Sequence, residues 1–185
     1  ALELTNKLLE QDEVTNYEAA VKHNNLFIRV DILVKRDSFI KIIEVKAKSM
    51  DDKLKSFLTQ KEDKVLAKWR PYLFDVAFQR YVARSAFPDL TVTSYLLLID
   101  KKSTTPTEGL NQKFQITVDD KKRKGVCVSS SLSKEDLSVK LMRQIPVDVE
   151  CDSICNTKLG NDRRGVSFIS QIKEYSESYS NNIKI

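Results

Sequence analysis

The chain has 185 residues, 41% of them hydrophobic and 31% charged, with a formal net charge of +5. That suits a single domain with an ordinary core, and no apolar run approaches the roughly 18 residues a membrane-spanning helix needs. Three cysteines, Cys127, Cys151 and Cys155, are too few and too odd in number for a disulfide framework, which points to a reducing, cytoplasmic compartment.

The opening ALELTNKLLEQDEV is a polar amphipathic helix pattern over residues 1–12, not a secretory signal. A start on Ala1 rather than Met is expected of a piece of a longer protein. Residues 17–22 read as a short strand, and residues 26–35 and 39–47 as two longer ones around Arg36, Asp37 and Ser38. Polar, lysine-rich residues 48–70 predict a loop with a short helix around 54–66. Pro71 suits a first helical position, and residues 72–86 then read as a buried helix. Residues 91–99 are β-branched and aliphatic, as in a central strand buried on both faces. Weaker strands are expected at 114–118 and 126–128, on either side of an exposed basic turn, KKRK, at 121–124. Ser133 with Asp136 predicts a helix start before Leu137 and Leu141. Residues 165–181 close the chain as a helix with Phe168, Ile172, Tyr175 and Tyr179 on one stripe. The order through residue 99 is α-β-β-β-α-β, an α/β or α+β layer arrangement. Residues 1–128 are expected to form the core and residues 129–185 a largely helical extension packed on it.

The positive charge is concentrated. Residues 35–70 hold eleven Lys/Arg against six Asp/Glu, an excess equal to that of the whole chain. Such a segment suits a polyanion such as nucleic acid, and on charge alone still better a solvated lysine-rich face.

The stretch FIRVDILVKRDSFIKIIEVKAKS, residues 27–49, carries acids and lysines inside its apolar runs. With Asp37 and Ser38 as a two-residue turn, Asp31 opposes Glu44, Val30 opposes Val45, Ile32 opposes Ile43 and Arg29 opposes Lys46. One face then collects Ile28, Val30, Ile32, Val34, Ile43 and Val45. The other collects Arg29, Asp31, Glu44 and Lys46. Two carboxylates opposed at close range repel, so a compensating cation is required. Arg29 and Lys46 supply one as a surface charge cluster. A hard divalent ion that takes one or two carboxylates plus substrate phosphate supplies another.

Asp31, then Glu44-Val45-Lys46 on the next strand, resembles the D…(D/E)-x-K signature of the PD-(D/E)XK nuclease superfamily. EAAVKHNNLFIRVDILVK, IIEVKAKS and LFDVAFQRYV resemble a bacterial "domain of unknown function" family related to its RecB-like branch. The resemblance covers residues 1–100 and implies a restriction-endonuclease-like αβββαβ core, with a mixed central sheet flanked by helices and a C-terminal β/α extension. It implies a Mg²⁺- or Mn²⁺-dependent deoxyribonuclease serving DNA repair, recombination or defence. Asp31 and Glu44 would hold the metal with the backbone carbonyl of Val45. Lys46 would orient the attacking water or steady charge on the phosphate, and Gln79 would contact the site from the later helix. Glu18 falls where the closer family carries an acid and would complete the metal set. Arg29, Lys48 and Tyr81 are the expected nucleic-acid contacts.

There are departures from the family pattern. His23, the only histidine, lies beside the second strand instead of on the first helix, and reads as an exposed loop residue. A tyrosine expected four residues after Gln79 is replaced by Ala83, with Tyr81 nearby. Cys151-x3-Cys155 matches no tight cluster spacing, so no iron–sulfur centre is expected within these residues. The rival expectation is a nuclease-fold module without turnover that binds nucleic acid or docks into a larger assembly, including other domains of a longer chain. No membrane partner is expected.

Overall fold

The computed structural model describes residues 1–50, 56–59, 61, 64–120, 122 and 124–182, with side chains through Ser178. Helix α1 (Leu2–Leu8) leads into three antiparallel strands, β1 (Glu13–His23), β2 (Leu26–Arg36) and β3 (Phe39–Met50). Each reversal takes two residues. Asn24 and Asp37 open these turns at φ 51° and 49°, in the left-handed region that Asn and Asp tolerate. Helix α2 (Arg70–Ala86) crosses over the sheet and returns the chain to β4 (Thr91–Asp100), parallel to β3. A β-x-β link of this kind needs a crossover, and Pro at the second helical position of α2 helps to start it.

Beyond β4, strands β5 (Phe114–Val118) and β6 (Lys124–Val128) form a separate two-stranded ribbon. Strand β7 (Met142–Pro146) then returns to pair antiparallel with β4. The main sheet is five-stranded and mixed, in the order β1-β2-β3-β4-β7. Helices α3 (Asp148–Asn156) and α4 (Phe168–Asn182) complete the chain. No described helix is long and apolar enough to cross a membrane.

Helix α2 divides the core. Its first half packs Leu73, Val76 and Ala77 against Leu96 and Leu98 of β4, with Cys151, Ile154, Phe168 and Ile172 from α3 and α4. Its second half packs Val82 and Ala83 against Val21, Ile28, Val30, Leu33, Ile40 and Ile42 of the meander, and Val92 of β4. Residues 142–172 therefore belong to the same core as the crossover helix.

Several sequence expectations change. Residues 133–141 form turns, not a helix. Ser133 and Asp136 do bond reciprocally, Ser133 N donating to Asp136 Oδ2 at 2.7 Å and Asp136 N to Ser133 Oγ at 3.3 Å. Asp136 also accepts from Lys113 Nζ and Thr107 Oγ1, each at 2.6 Å, so the pair fastens the base of the ribbon. Those bonds hold its carboxyl well below the usual range, Lys113 foremost. The helix expected around 54–66 lies partly outside the described residues; within it, Leu58 and Val65 form an antiparallel bridge. Strand β4 alternates, with Val92, Ser94, Leu96 and Leu98 buried and Thr93, Tyr95 and Leu97 partly exposed. On α4, Phe168 and Ile172 are buried but Tyr175 is 75% exposed, and the Tyr179 side chain lies outside the described residues. Residues 121 and 123 of the KKRK turn also lie outside them.

Burial separates two kinds of apolar residue. Leu96 has no exposed surface, whereas Ile116 on the ribbon is 77% exposed. Leu96→Ala is expected to cost about 2–5 kcal/mol in urea unfolding, through lost transfer energy and a residual cavity. Ile116→Ala should stay within about 0.5 kcal/mol.

Candidate functional site

The β2–β3 ladder runs in the register expected from a two-residue turn, from Arg36 opposite Phe39 to Ile32 opposite Ile43, and goes no further. The next pair would have been Asp31 and Glu44. Instead Asp31 Oδ2 accepts a 2.7 Å hydrogen bond from Val45 N, so a side chain satisfies a backbone donor that the ladder leaves unpaired. The β3–β4 pairing also breaks here. It runs to Val45 opposite Leu97 and resumes at Ser49 opposite Ile99, giving β3 two extra residues. A bulge of this kind re-aims side chains, and the ones it frees are Lys46, Ala47 and Lys48.

A second irregularity lies across β2. The β1–β2 pairing skips Glu18, which sits at φ 55°, while Tyr17–Ile32 and Ala19–Val30 pair on either side. Asp31 is the residue opposite that gap. Val30 and Leu33, three apart, both enter the buried cluster under α2, which a regular pleat with its period of two does not allow. The burial phase of β2 thus changes around Asp31.

The expected division of faces is corrected accordingly. Ile32 and Val34 are only half-buried, while Leu33, Ile40 and Ile42 are fully buried. Ile40 and Ile42 precede Glu44 at two-residue spacing, so the acid continues a packed stripe and does not stand on a charged outer face.

That stripe meets α2. Gln79 Nε2 donates to Glu44 Oε2 at 2.7 Å, and Lys46 Nζ donates to Asp75 Oδ2 at 3.0 Å. Lys48 Nζ lies 4.8 Å from the ring centre of Tyr72. Glu44, Lys46 and Lys48 step along the strand by two residues, about 6.6 Å each, while Gln79, Asp75 and Tyr72 step back along one helix stripe by about 4.5–6 Å. Two further bonds close the network. Lys46 Nζ donates to Glu44 Oε1 at 2.5 Å, and Gln79 Nε2 also reaches Asp75 Oδ1 at 3.3 Å.

Burial grades across the network. The side chain of Glu44 is 8% exposed, that of Lys46 22% and that of Asp75 43%, so the ammonium sits between an enclosed acid and an open one. Burial pushes the Glu44 carboxyl above its ordinary 4.5; hydrogen bonds from Lys46 and Gln79 oppose this, and the Asp75 and Asp31 charges push it further up. For Lys46, burial pulls downward, but hydrogen bonds to Glu44 and Asp75 and the charge of both acids outweigh it, leaving the ammonium more firmly protonated.

Asp31, Glu44, Lys46 and Gln79 are thus brought together. Of Val45, the N–H is the group that bonds Asp31. Glu18 points elsewhere, with Oε2 paired to Arg29 Nε at 2.5 Å and both side chains more than half exposed. Tyr81, two residues beyond Gln79 and so about 200° further round α2, lines a cavity of about 270 Å³ with Arg80, Arg84 and Cys155. The aromatic ring that both Lys46 and Lys48 approach is that of Tyr72. The sequence motifs gave no role to Asp75 or Tyr72. The i, i+3, i+7 spacing of Tyr72, Asp75 and Gln79 was the available signal.

Among the described residues no three Asp, Glu, His or Cys side chains are gathered as a metal-binding group. Asp31 and Glu44 offer hard oxygen donors of the kind Mg²⁺ takes alongside substrate phosphate. The upward push on Glu44 from both neighbouring acids marks negative charge that a cation would relieve. No family model, curated protein or solved structure matches the chain.

The raised Glu44 carboxyl fixes a sign. A group whose folded value lies above its unfolded value contributes stability that is full below about pH 4.5 and is lost as pH rises through the folded value. Glu44→Gln cannot titrate, so its melting temperature relative to the wild type should improve by a few degrees between pH 4 and pH 7.5. Parallel melting curves for the two proteins over that range would contradict the assignment.

Proposed function

We propose that the chain is a metal-dependent deoxyribonuclease of the PD-(D/E)XK kind, with a RecB-like site and a role in DNA repair, recombination or defence. The observation that carries this reading is the convergence of Asp31, Glu44 and Lys46 at the point where β3 leaves both neighbouring ladders. The α-β-β-β-α-β order, with an antiparallel meander and a fourth strand parallel to the third, supports it. Three free thiols suit a cytoplasmic setting.

Asp31 and Glu44 would hold Mg²⁺ or Mn²⁺, with the Val45 carbonyl as the third donor the resemblance suggests. The ion would polarise phosphoryl oxygen and lower the pKa of water. The protein's own groups supply the rest. Lys46, kept protonated by two acids, presents fixed positive charge where negative charge gathers on phosphate, and so acts as an electrostatic group and not as a proton acceptor. Gln79 holds Oε2 of Glu44 and so fixes the orientation of that carboxylate. Asp75, the more exposed of the two acid partners of Lys46, holds the same ammonium.

A second reading is favoured by one feature. Both oxygens of Glu44 and Oδ2 of Asp31 are already engaged by protein donors, so an ion must compete for them. A nuclease-fold module that binds nucleic acid or docks into a larger assembly without cutting would retain that closed network.

The two readings separate in one assay with linear, nicked and single-stranded DNA, in Mn²⁺ or in EDTA. The enzyme is expected to cut only with metal, and Lys46→Ala to slow cutting by about 100-fold or more. Binding without cutting under every metal condition would favour the module.

A further inference from the structure

We infer that Lys48, Lys68 and Arg70 form a track for the phosphodiester backbone beside the candidate site; the inference rests on the nuclease reading and extends it to substrate placement. Lys48 follows Lys46 by two residues on the bulged part of β3, so both ammonium groups face α2. Its Nζ lies 4.7 Å from the Trp69 ring centre and 4.8 Å from that of Tyr72, and donates to the Lys68 carbonyl at 2.5 Å. Lys46 Nζ lies 5.6 Å from the same Tyr72 ring, which links track and site through one side chain. Lys68 Nζ lies 5.9 Å from the Trp69 ring centre, and the Arg70 guanidinium 4.3 Å from that of Phe74.

These cations are positioned without being neutralised. Among the described residues, Lys48, Lys68 and Arg70 pair with no carboxylate, whereas Arg29, Arg36, Arg80 and Arg164 all do. Aromatic faces hold the charged heads in place while Lys68 and Arg70 stay exposed, so a phosphate meets ordered cations with little side-chain freedom left to lose. Lys68 lies two residues before α2 and Arg70 is its first residue, and the helix has no acid in its first turn. Positive charge at a helix N-terminus opposes the helix dipole. A bound polyanion removes that opposition.

Trp69 is 1% exposed, so it anchors the lysines and cannot itself stack on a base. Recognition through this track is of phosphate, independent of sequence and sensitive to salt. Single strands and duplexes present the same chemistry, and separate arms of the test tell them apart.

The test is fluorescence anisotropy with a labelled 30-nucleotide strand and the corresponding duplex, in EDTA so that cutting cannot intrude. The proteins are the wild type, Lys48→Gln, the double variant Lys68→Gln/Arg70→Gln, and Lys7→Ala on α1 as a control. Weakening of about ten-fold in the double variant is expected, with its log-affinity against log-salt slope shallower by about 1–2 and the control unchanged. The nucleic-acid form with the larger loss is the one the track carries. Unchanged affinity and slope in both track variants would overturn the assignment. So would weaker binding at an unchanged slope with a lowered melting temperature, because the lysines would then only be covering Trp69. A wild type that binds with this pattern but never cuts sinks the nuclease reading and leaves the track; one that cuts while the track variants bind normally sinks the track alone.

Discussion

The register of β3 against α2 is the constraint on which the rest of the structure depends. Ile40 and Ile42 lie under Val82 and Ala83, and Glu44, Lys46 and Lys48 continue the same strand face along Gln79, Asp75 and Tyr72. Two strand residues advance nearly as far as one helical turn, so each side chain finds a partner across the layer. The contact changes character along its length, from wholly apolar to hydrogen-bonded acid, then ammonium, then cation on aromatic ring. It also opens to solvent in that order. A single interface thus anchors the sheet to its crossover helix at one end and holds an ionisable cluster at the other. A slip of one residue in β3 would turn Ile42 away from the core together with Glu44.

This coupling explains how carboxylates persist where burial opposes them. Glu44 is too enclosed for water to neutralise its cost, and it is held above its ordinary pKa despite a lysine at contact distance. Removing Lys46 would leave that carboxylate buried without its cation, which is more costly than never having buried the pair, whereas Lys46 without Glu44 would keep Asp75. The surrounding irregularities follow the same pattern. Glu18 adopts a left-handed φ, β2 changes phase at Asp31, and β3 bulges after Val45, all next to the same few residues. Backbone departures concentrated at one place are sustained only where the neighbouring packing over-determines them, and here the fully buried Ala19, Val30 and Ile42 do so.

The sequence made most of the central layer legible, because its signals are local. Alternation through residues 26–47, the tight turn at Asp37 and Ser38 and a long apolar helix after Pro71 carried the strands, their hairpin register and the crossover. The register failed one pair short of the acids. Alternation encodes which face a residue takes in a continuing ladder, whereas the bond from Val45 N to Asp31 ends the ladder. The division of faces failed for the same reason, since a period-two reading carries no phase change at Asp31. Strand β7 and helix α3 were not anticipated. MRQIP alternates weakly and ends in proline, and it forms a strand only because the edge of β4 is open to it. The Ser133–Asp136 signal was a true local bond that tertiary partners put to another use, a limit of any motif read without its surroundings.

Two charged clusters sit on α2, and their contrast shows why only one is read as chemistry. Arg80 is as enclosed as Glu44, its side chain 9% exposed, and it faces Asp148 at 3.0 Å and Asp152 at 2.5 Å, both on α3. Burial pulls its guanidinium down, but hydrogen bonding to Asp152 and the charges of both acids raise it, so the buried cation is balanced in charge although its Nε makes no hydrogen bond. That cluster fastens α3 to the crossover helix and leaves no demand for another ion. In the Glu44 cluster the acids outnumber the cation, the central carboxyl is driven toward protonation, and the ammonium stands part-way to solvent. Perturbation alone does not distinguish a structural tie from a reactive site. The balance of charge is what differs, and acid is in excess over cation only on the side of α2 that carries Asp75 and Tyr72.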